Sequence, residues 1–245
     1  LDNKDLDTAR LLLEQGADVN TRSRAGNTML HIAAAAGNEK DLGLLMETGA
    51  EINAKGNKGW TPLHVAAVME HLESARLLID GGAEVNNEDE GGFTPLHYAL
   101  LRRRTDIGSL LIKAGADINS KGNNGFTPLL AAAKSGHPEV VQLLIAASAN
   151  INAKDDFDQT PLIWASSGGH SEVVRLLIDA GADINARQED GSTSLTYAAS
   201  QGHAETASLL IDAGADINAR KEDGNTSLTY AASEGHAEAT SLLID

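Results

Sequence analysis

Eight histidines are the residues in this 245-residue chain best suited to chemistry. An imidazole can act as a general base near neutral pH or bind a metal ion. Their placement argues against either use. His31, His64 and His97 close strings related to Thr-Pro-Leu-His, while His71, His137, His170, His203 and His236 sit at a second recurring position, and both sets fall on a 33-residue period, with Arg104 in place of His in the second. A reaction centre needs a nucleophile, a base and an orienting group at one place. Histidines carried by successive repeats stand about one helix diameter apart, roughly 10 Å, beyond hydrogen-bond and metal-ligand reach. They are read as structural. The acid pairs Glu189-Asp190 and Glu222-Asp223 fall on turn tips, where a solvated face is the plain reading. The glycines are cap and turn glycines rather than a phosphate cradle. With no cysteine there is no thiolate chemistry and no disulfide framework. No catalytic, cofactor-binding or metal-binding residue is expected, and the chain is not expected to be an enzyme.

The elements that hold these residues repeat with them. A turn string, Gly16-Ala17-Asp18-Val19-Asn20, returns in variants ending at Asn53, Asn86, Asn119, Asn152, Asn185 and Asn218, always 33 residues on. The Thr-Pro-Leu-His string keeps the same period, starting at Thr28, Thr61, Thr94, Thr127, Thr160, Thr193 and Thr226. Thr is a good helix N-cap and Pro suits the first helical position, so a helix starts at each. It carries small residues, as in Leu129 to Ala133, and ends near a glycine such as Gly136. A second helix follows, predicted at Pro138 to Ala146 in that unit. Second helices end at Gly49, Gly82, Gly115, Gly181 and Gly214, where a left-handed cap costs glycine least. Ser148 is the departure. A polar, glycine-containing stretch then projects as a hairpin. One unit cannot bury both faces of a second helix carrying Val173, Val174, Leu176, Leu177 and Ile178; stacked neighbours can, which predicts a solenoid.

The 33-residue period with Thr61-Pro62-Leu63-His64-Val65-Ala66 resembles the ankyrin repeat. The resemblance implies an all-α helical solenoid of helix-turn-helix units with projecting β-hairpin-like turns. It divides the chain into a partial unit at 1–22 (second helix and turn), six full units at 23–221 and a truncated unit at 222–245, in one continuous repeat domain. Thr193-Ser194-Leu195-Thr196 and Thr226-Ser227-Leu228-Thr229 lack the Pro and the His, so the C-terminal end should be softer. Residues 189–212 and 222–245 differ at four of 24 positions, the mark of a recent duplication. The opening Leu1 and closing Asp245 read as the ends of a fragment. Such ends lack polar caps, so a monomer with some end-to-end association is expected.

Composition bounds the partner. Lys and Arg number 19 against 35 Asp and Glu, a net charge of −16. A surface this acidic repels phosphate backbones, so nucleic acid is not the expected partner. No apolar run approaches the roughly 20 residues of a membrane span, and no signal peptide opens the chain. The expected location is the cytoplasm, or a host's cytosol if the parent is a secreted effector.

Specificity should lie where the units differ. As the resemblance implies, hairpin tips and first-helix ends line a concave groove. The residue before each Thr runs Asn27, Trp60, Phe93, Phe126, Gln159, Ser192, Asn225. Three successive aromatics, in a chain with eight, either pack between hairpins or face a partner. First-helix ends nearby supply Val68, Met69, Leu101, Arg102, Lys134 and Ser135. Aromatic, Met and Arg residues are the types enriched at interface centres. The candidate partner-binding set is Trp60, Phe93, Phe126, Met69, Leu101, Arg102, Lys134 and Phe157. Arg102-Arg103-Arg104 either meets an acidic partner or balances local acids. Tips turn acidic toward the C-terminus, at Asp155, Asp156, Asp158, Glu189, Asp190, Glu222 and Asp223, so a partner should be apolar at its centre and basic toward those units. Trp164, Tyr98, Tyr197 and Tyr230 share one first-helix position that reads as packing. The leading reading is a protein-binding scaffold. Alternatives are a targeting arm of a larger enzyme or effector, and a spacer. The resemblance also makes the turn asparagines candidates for hydroxylation, though bonding of the turn backbone is the simpler role.

Overall fold

Seven threonines open seven helices. In the computed structural model, which describes residues 15–244, each Thr of the repeating string is an N-cap with extended backbone, and Pro62, Pro95, Pro128 and Pro161 stand at the start of the helix behind it. The first helices are α1 Met29–Ala36, α3 Pro62–Met69, α5 Pro95–Leu101, α7 Pro128–Ser135, α9 Pro161–Ser167, α11 Ser194–Ser200 and α13 Ser227–Ser233. The second helices are α2 Glu39–Glu47, α4 Leu72–Asp80, α6 Thr105–Lys113, α8 Pro138–Ala146, α10 Ser171–Asp179, α12 Ala204–Asp212 and α14 Ala237–Leu242. The bounds of α8 coincide with those predicted. No strand forms among the described residues; the hairpins are closed by single backbone pairs such as Gly56 N to Trp60 O at 2.7 Å. This is an all-α helical repeat array. Of the partial unit expected at 1–22, residues 1–14, where its second helix falls, lie outside the described residues, as does residue 245 of the truncated unit.

The chain divides into two compact units, 1–123 and 124–245. Within each, the core is a column of leucine and alanine. Leu30, Leu63, Leu96, Leu129, Leu162 and Leu195 are at most 1% exposed, and Ala33, Ala66, Ala99, Ala165 and Ala198 beside them are fully buried. Alanine's small side chain lets neighbouring first helices approach closely. Second helices contribute Leu42 and Leu45, Leu78, Ile107 and Leu111, Val141 and Leu144, Val174 and Leu177, and Leu210.

Within each compact unit, polar ties knit one repeat to the next. The turn asparagines accept from a backbone amide 31 residues on: Asn20 from Glu51 at 2.8 Å, Asn53 from Glu84 at 2.9 Å, Asn152 from Asp183 and Asn185 from Asp216 at 2.8 Å. Asn20, Asn86 and Asn185 also donate to the carbonyls of Gly49, Gly115 and Gly214. These asparagines therefore bond the neighbour's turn rather than their own. The inter-helix histidines work in the opposite direction. His71, His170, His203 and His236 bond through Nε2 to the first-helix carbonyls of Ala35, Lys134, Ser167 and Ser200. Each ring lies on a left-handed glycine of the previous unit; a Cβ on Gly37, Gly136 or Gly202 would come within 2.5 Å of it.

Second helices end as expected, with Gly49, Gly82, Gly115, Gly181 and Gly214 at φ between 86° and 97°. Ser148 adopts the same left-handed conformation at φ 64° without glycine's freedom. Among the described residues no helix is long and apolar enough to cross a membrane.

Candidate functional site

In the first unit the hairpin tips are organised around Asp89. Its Oδ1 accepts the amides of Gly91 and Phe93 at 2.8 and 2.9 Å, an Asx turn that shapes the tip. Its Oδ2 accepts Trp60 Nε1 at 3.1 Å from the previous hairpin and the Tyr98 hydroxyl at 2.6 Å from α5. Burial opposes the Asp89 charge, but the bonds from Tyr98, Phe93, Gly91 and Trp60 outweigh it and hold its pKa below the usual carboxylate value. Burial and the same carboxylate push Tyr98 up to about 12. Trp60 and Phe93 both rest on the Tyr98 ring, at centroid separations of 4.8 and 5.9 Å.

The tips seat the residue before Thr in two alternating ways. Trp60 meets Asp89 and Tyr98, whereas Phe93 lies over Gly122, where a Cβ would come 2.8 Å from its ring. Asn27 likewise lies against Gly56, and its Oδ1 accepts the Asn57 amide at 2.9 Å. A glycine at this loop position therefore goes with Val65 and Ala131 in α3 and α7, and a polar residue with the aromatics Tyr98, Trp164 and Tyr197.

Where the aromatic is missing from two successive repeats, space opens. Tyr98, Trp164, Tyr197 and Tyr230 have Ile32, Val65 and Ala131 as their counterparts, of which Ile32 and Val65 are adjacent in the stack. Between these two lies a groove of about 330 Å³ with Ile32, Ala35, Val65 and Met69 along it, Trp60 and His31 on its walls, and Asn57 and Lys58 at its hairpin end. Met69 is 51% exposed, unusual for a large apolar side chain.

His31 and His64 support this region from below. Each Nδ1 accepts its N-cap Thr amide, at 3.2 and 3.1 Å, and each Nε2 reaches the next unit's carbonyl, Trp60 at 2.9 Å and Phe93 at 3.0 Å. Because the amide must donate to Nδ1, the proton sits on Nε2 and the ring is neutral. Burial lowers the pKa of both, His64 to about 4. His97 repeats the tie to Thr94 N at 3.1 Å.

In the second unit, Phe126 and Trp164 meet edge to face at 5.9 Å, with the Lys134 ammonium 4.0 Å from the Trp164 centroid and 5.5 Å from that of Phe126. Asp155 plays the part of Asp89: it accepts the Phe157 and Gln159 amides and Trp164 Nε1. At 6% exposure it does not belong to the exposed acidic row expected from the sequence. Asp158 pairs with Lys154 at 3.0 Å, Asp190 with Lys221 at 2.9 Å, and Asp223 accepts the Tyr230 hydroxyl. Asp156, Glu189 and Glu222 are exposed and have no ion pair among the described residues.

Of the expected partner-binding residues, Trp60 and Met69 share the groove, Trp60 and Phe93 share Tyr98, and Phe126 and Lys134 share Trp164. Leu101 is half-buried, Arg102 exposed, and Phe157 64% exposed at its tip. The three row aromatics are half-buried, each with one side on the packing between hairpins. Within the basic run Arg104 balances Glu70 at 2.6 Å, while Arg102 and Arg103 are exposed and have no ion pair among the described residues. Sequence reasoning missed Asp89, Lys58 and the role of Trp164. The nine-residue spacing of Asp89 to Tyr98, Asp155 to Trp164 and Gln188 to Tyr197 is the signal that could have found the tip acids. Among the described residues no three His, Asp or Glu side chains are grouped to hold a metal ion.

No curated protein matches this chain. Family models described as ankyrin repeats match residues 44–122, 120–188 and 186–245, and a further ankyrin-repeat model matches residues 2–45. Ankyrin repeats generally mediate protein–protein interaction, and proteins built from them are typically non-catalytic scaffolds. The matches cover almost the whole chain, and the chain belongs to the ankyrin-repeat family.

Proposed function

We propose that this chain is a non-enzymatic scaffold that binds a partner protein on the face built by its hairpin tips and first-helix ends. The observation that carries the reading is the groove beside Trp60 and Met69. It is apolar along most of its length, open to solvent and polar at one end, the pattern of a pocket that takes one anchoring side chain. Half-exposed Met69 suits this use, because an unbranched thioether adapts to different partners. The candidate contact set is Trp60, Met69, Phe93, Leu101, Arg102, Phe126, Lys134 and Phe157, with Lys58 added at the groove's end.

Charge supports a graded partner. Residues 1–123 carry 13 Lys and Arg against 18 Asp and Glu; residues 124–245 carry six against 17, a net −11. An apolar anchor on the first unit and basic residues on the second would satisfy both.

Met69→Asp tests the reading, because a half-exposed side chain can be replaced without loss of folding. Proteins captured from lysate by the native chain and lost with Met69→Asp, at unchanged helical content, are the expected result. An identical capture profile would contradict the groove. It would favour the spacer reading, which the near-identical segments 189–212 and 222–245 support.

A further inference from the structure

Lys134 occupies an unusual position for a lysine on an acidic protein. Its side chain is exposed and makes no ion pair among the described residues, yet its ammonium is drawn into the corner between Phe126 and Trp164. The rings meet at 84°, so they form two walls of that corner. A cation within about 6 Å of an aromatic centroid is held by the negative ring face, most strongly by tryptophan. The indole is tuned for this, since its N–H donates to the buried Asp155 carboxylate at 3.0 Å and gains electron density in return. Asp156, exposed and without an ion pair, lies against Gly125, next to Phe126 in the chain.

A second lysine behaves in the same way farther along the unit. Lys221 Nζ lies 5.2 Å from the Tyr230 centroid and 2.9 Å from Asp190. Aromatic rings and carboxylates on this face therefore collect cations at two places, using the unit's own few lysines as occupants. Lys221 is fixed by the Asp190 carboxylate, whereas the Lys134 ammonium is held by rings, with no carboxylate paired to it among the described residues, and can be displaced.

We propose that the Phe126–Trp164 corner is a seat for an arginine side chain from a basic segment of a partner protein, and that Lys134 fills the seat until the partner arrives. Guanidinium is the better occupant: it is planar, stacks on aromatic faces and is more weakly hydrated than ammonium. The net −11 of residues 124–245 draws such a segment in, and the seat fixes its register. This assignment rests on the reading of the tip and first-helix face as protein-binding, and it names the chemistry that the second unit selects.

The test uses the full chain carrying Trp60→Phe, so that Trp164 is the single tryptophan reporter. The probe is a nine-residue peptide with arginine at alternate positions among glycine and serine, titrated at low salt. Saturable change in Trp164 fluorescence is expected. Lys134→Ala removes the internal competitor and tightens binding about threefold to tenfold, while Phe126→Leu weakens it by a similar factor. The lysine version of the peptide binds more weakly, and spermine shows no dependence on Lys134. Peptide binding with the same Kd in all three backgrounds, or weakened by Lys134→Ala, would overturn the seat and leave only diffuse attraction. Spermine binding that tightens with Lys134→Ala would overturn the protein-segment assignment. No peptide binding in any background would overturn the seat and the basic partner together, while the Met69→Asp comparison decides separately whether the first unit binds protein.

Discussion

The two compact units keep one backbone plan and tie it with different chemistry at the fourth position of the Thr-x-Leu-x string. In the first unit that position holds His31, His64 and His97; in the second it holds Leu130, Ile163, Thr196 and Thr229. The imidazole makes two ties at once, as at His64, to its own N-cap and to the carbonyl of the next repeat. Thr196 and Thr229 retain only the local capping tie to Thr193 and Thr226, and Leu130 and Ile163 trade both for burial. The helices start correctly in every case. The initiation signal is thus separable from the tie between repeats, since Thr193 and Thr226 cap helices without Pro or His behind them.

The largest expected effect follows from removing that double tie. His64→Ala leaves a cavity and orphans the Thr61 amide and the Phe93 carbonyl, at a cost on the order of 3 kcal/mol. Thr196→Ala should cost about 1 kcal/mol, the usual loss for one hydrogen bond. Urea unfolding followed by Trp60 alone and by Trp164 alone, in single-tryptophan variants, reads the two units separately. Equal losses would break the contrast.

Acidification should act on the same difference. His64 has a folded pKa of about 4, below the ordinary 6.5. The folded state binds fewer protons than the unfolded state, so the stabilisation is fully present above pH 6.5 and is lost as pH falls toward 4. The span corresponds to roughly 3 kcal/mol at most. His31, lowered in the same direction, adds to it. The urea midpoint reported by Trp60 should fall faster than that reported by Trp164 between pH 6.5 and 5, before most carboxylates titrate. Parallel midpoints would mean that the buried imidazoles are not the acid-sensitive groups.

Smaller effects sharpen the comparison at the tips and caps. Asp89→Asn replaces an acceptor oxygen facing Trp60 and Tyr98 with a donor and should destabilise by about 1.5–3 kcal/mol. Asp155→Asn, with only Trp164 Nε1 at that oxygen, should cost less. Ser148→Gly should stabilise by about 0.5–1 kcal/mol by relieving a left-handed serine, measured as a rise in the Trp164 urea midpoint.

How far the sequence speaks can be judged residue by residue. The Thr-Pro starts, the extent of α8 and the left-handed caps were legible because each depends on a few neighbouring residues. Ser148 was legible as a departure for the same reason. Asp155 was not, since an acid at a turn tip is ordinarily solvated and only the folded Asx turn buries it. Nor could the Phe126–Trp164 corner be read, because the rings are 38 residues apart and only the stack brings them together. Trp60 and Phe93 posed a choice between packing and partner contact, and both rings have one side on the packing between hairpins.

The most direct test of the account is photo-cross-linking from a benzoylphenylalanine placed at Met69 in the groove or at exposed Arg76 on the second helix of the same repeat. The account predicts a discrete protein adduct from position 69 and none from position 76. Adducts from position 76 alone would contradict it and move the binding surface to the second helices.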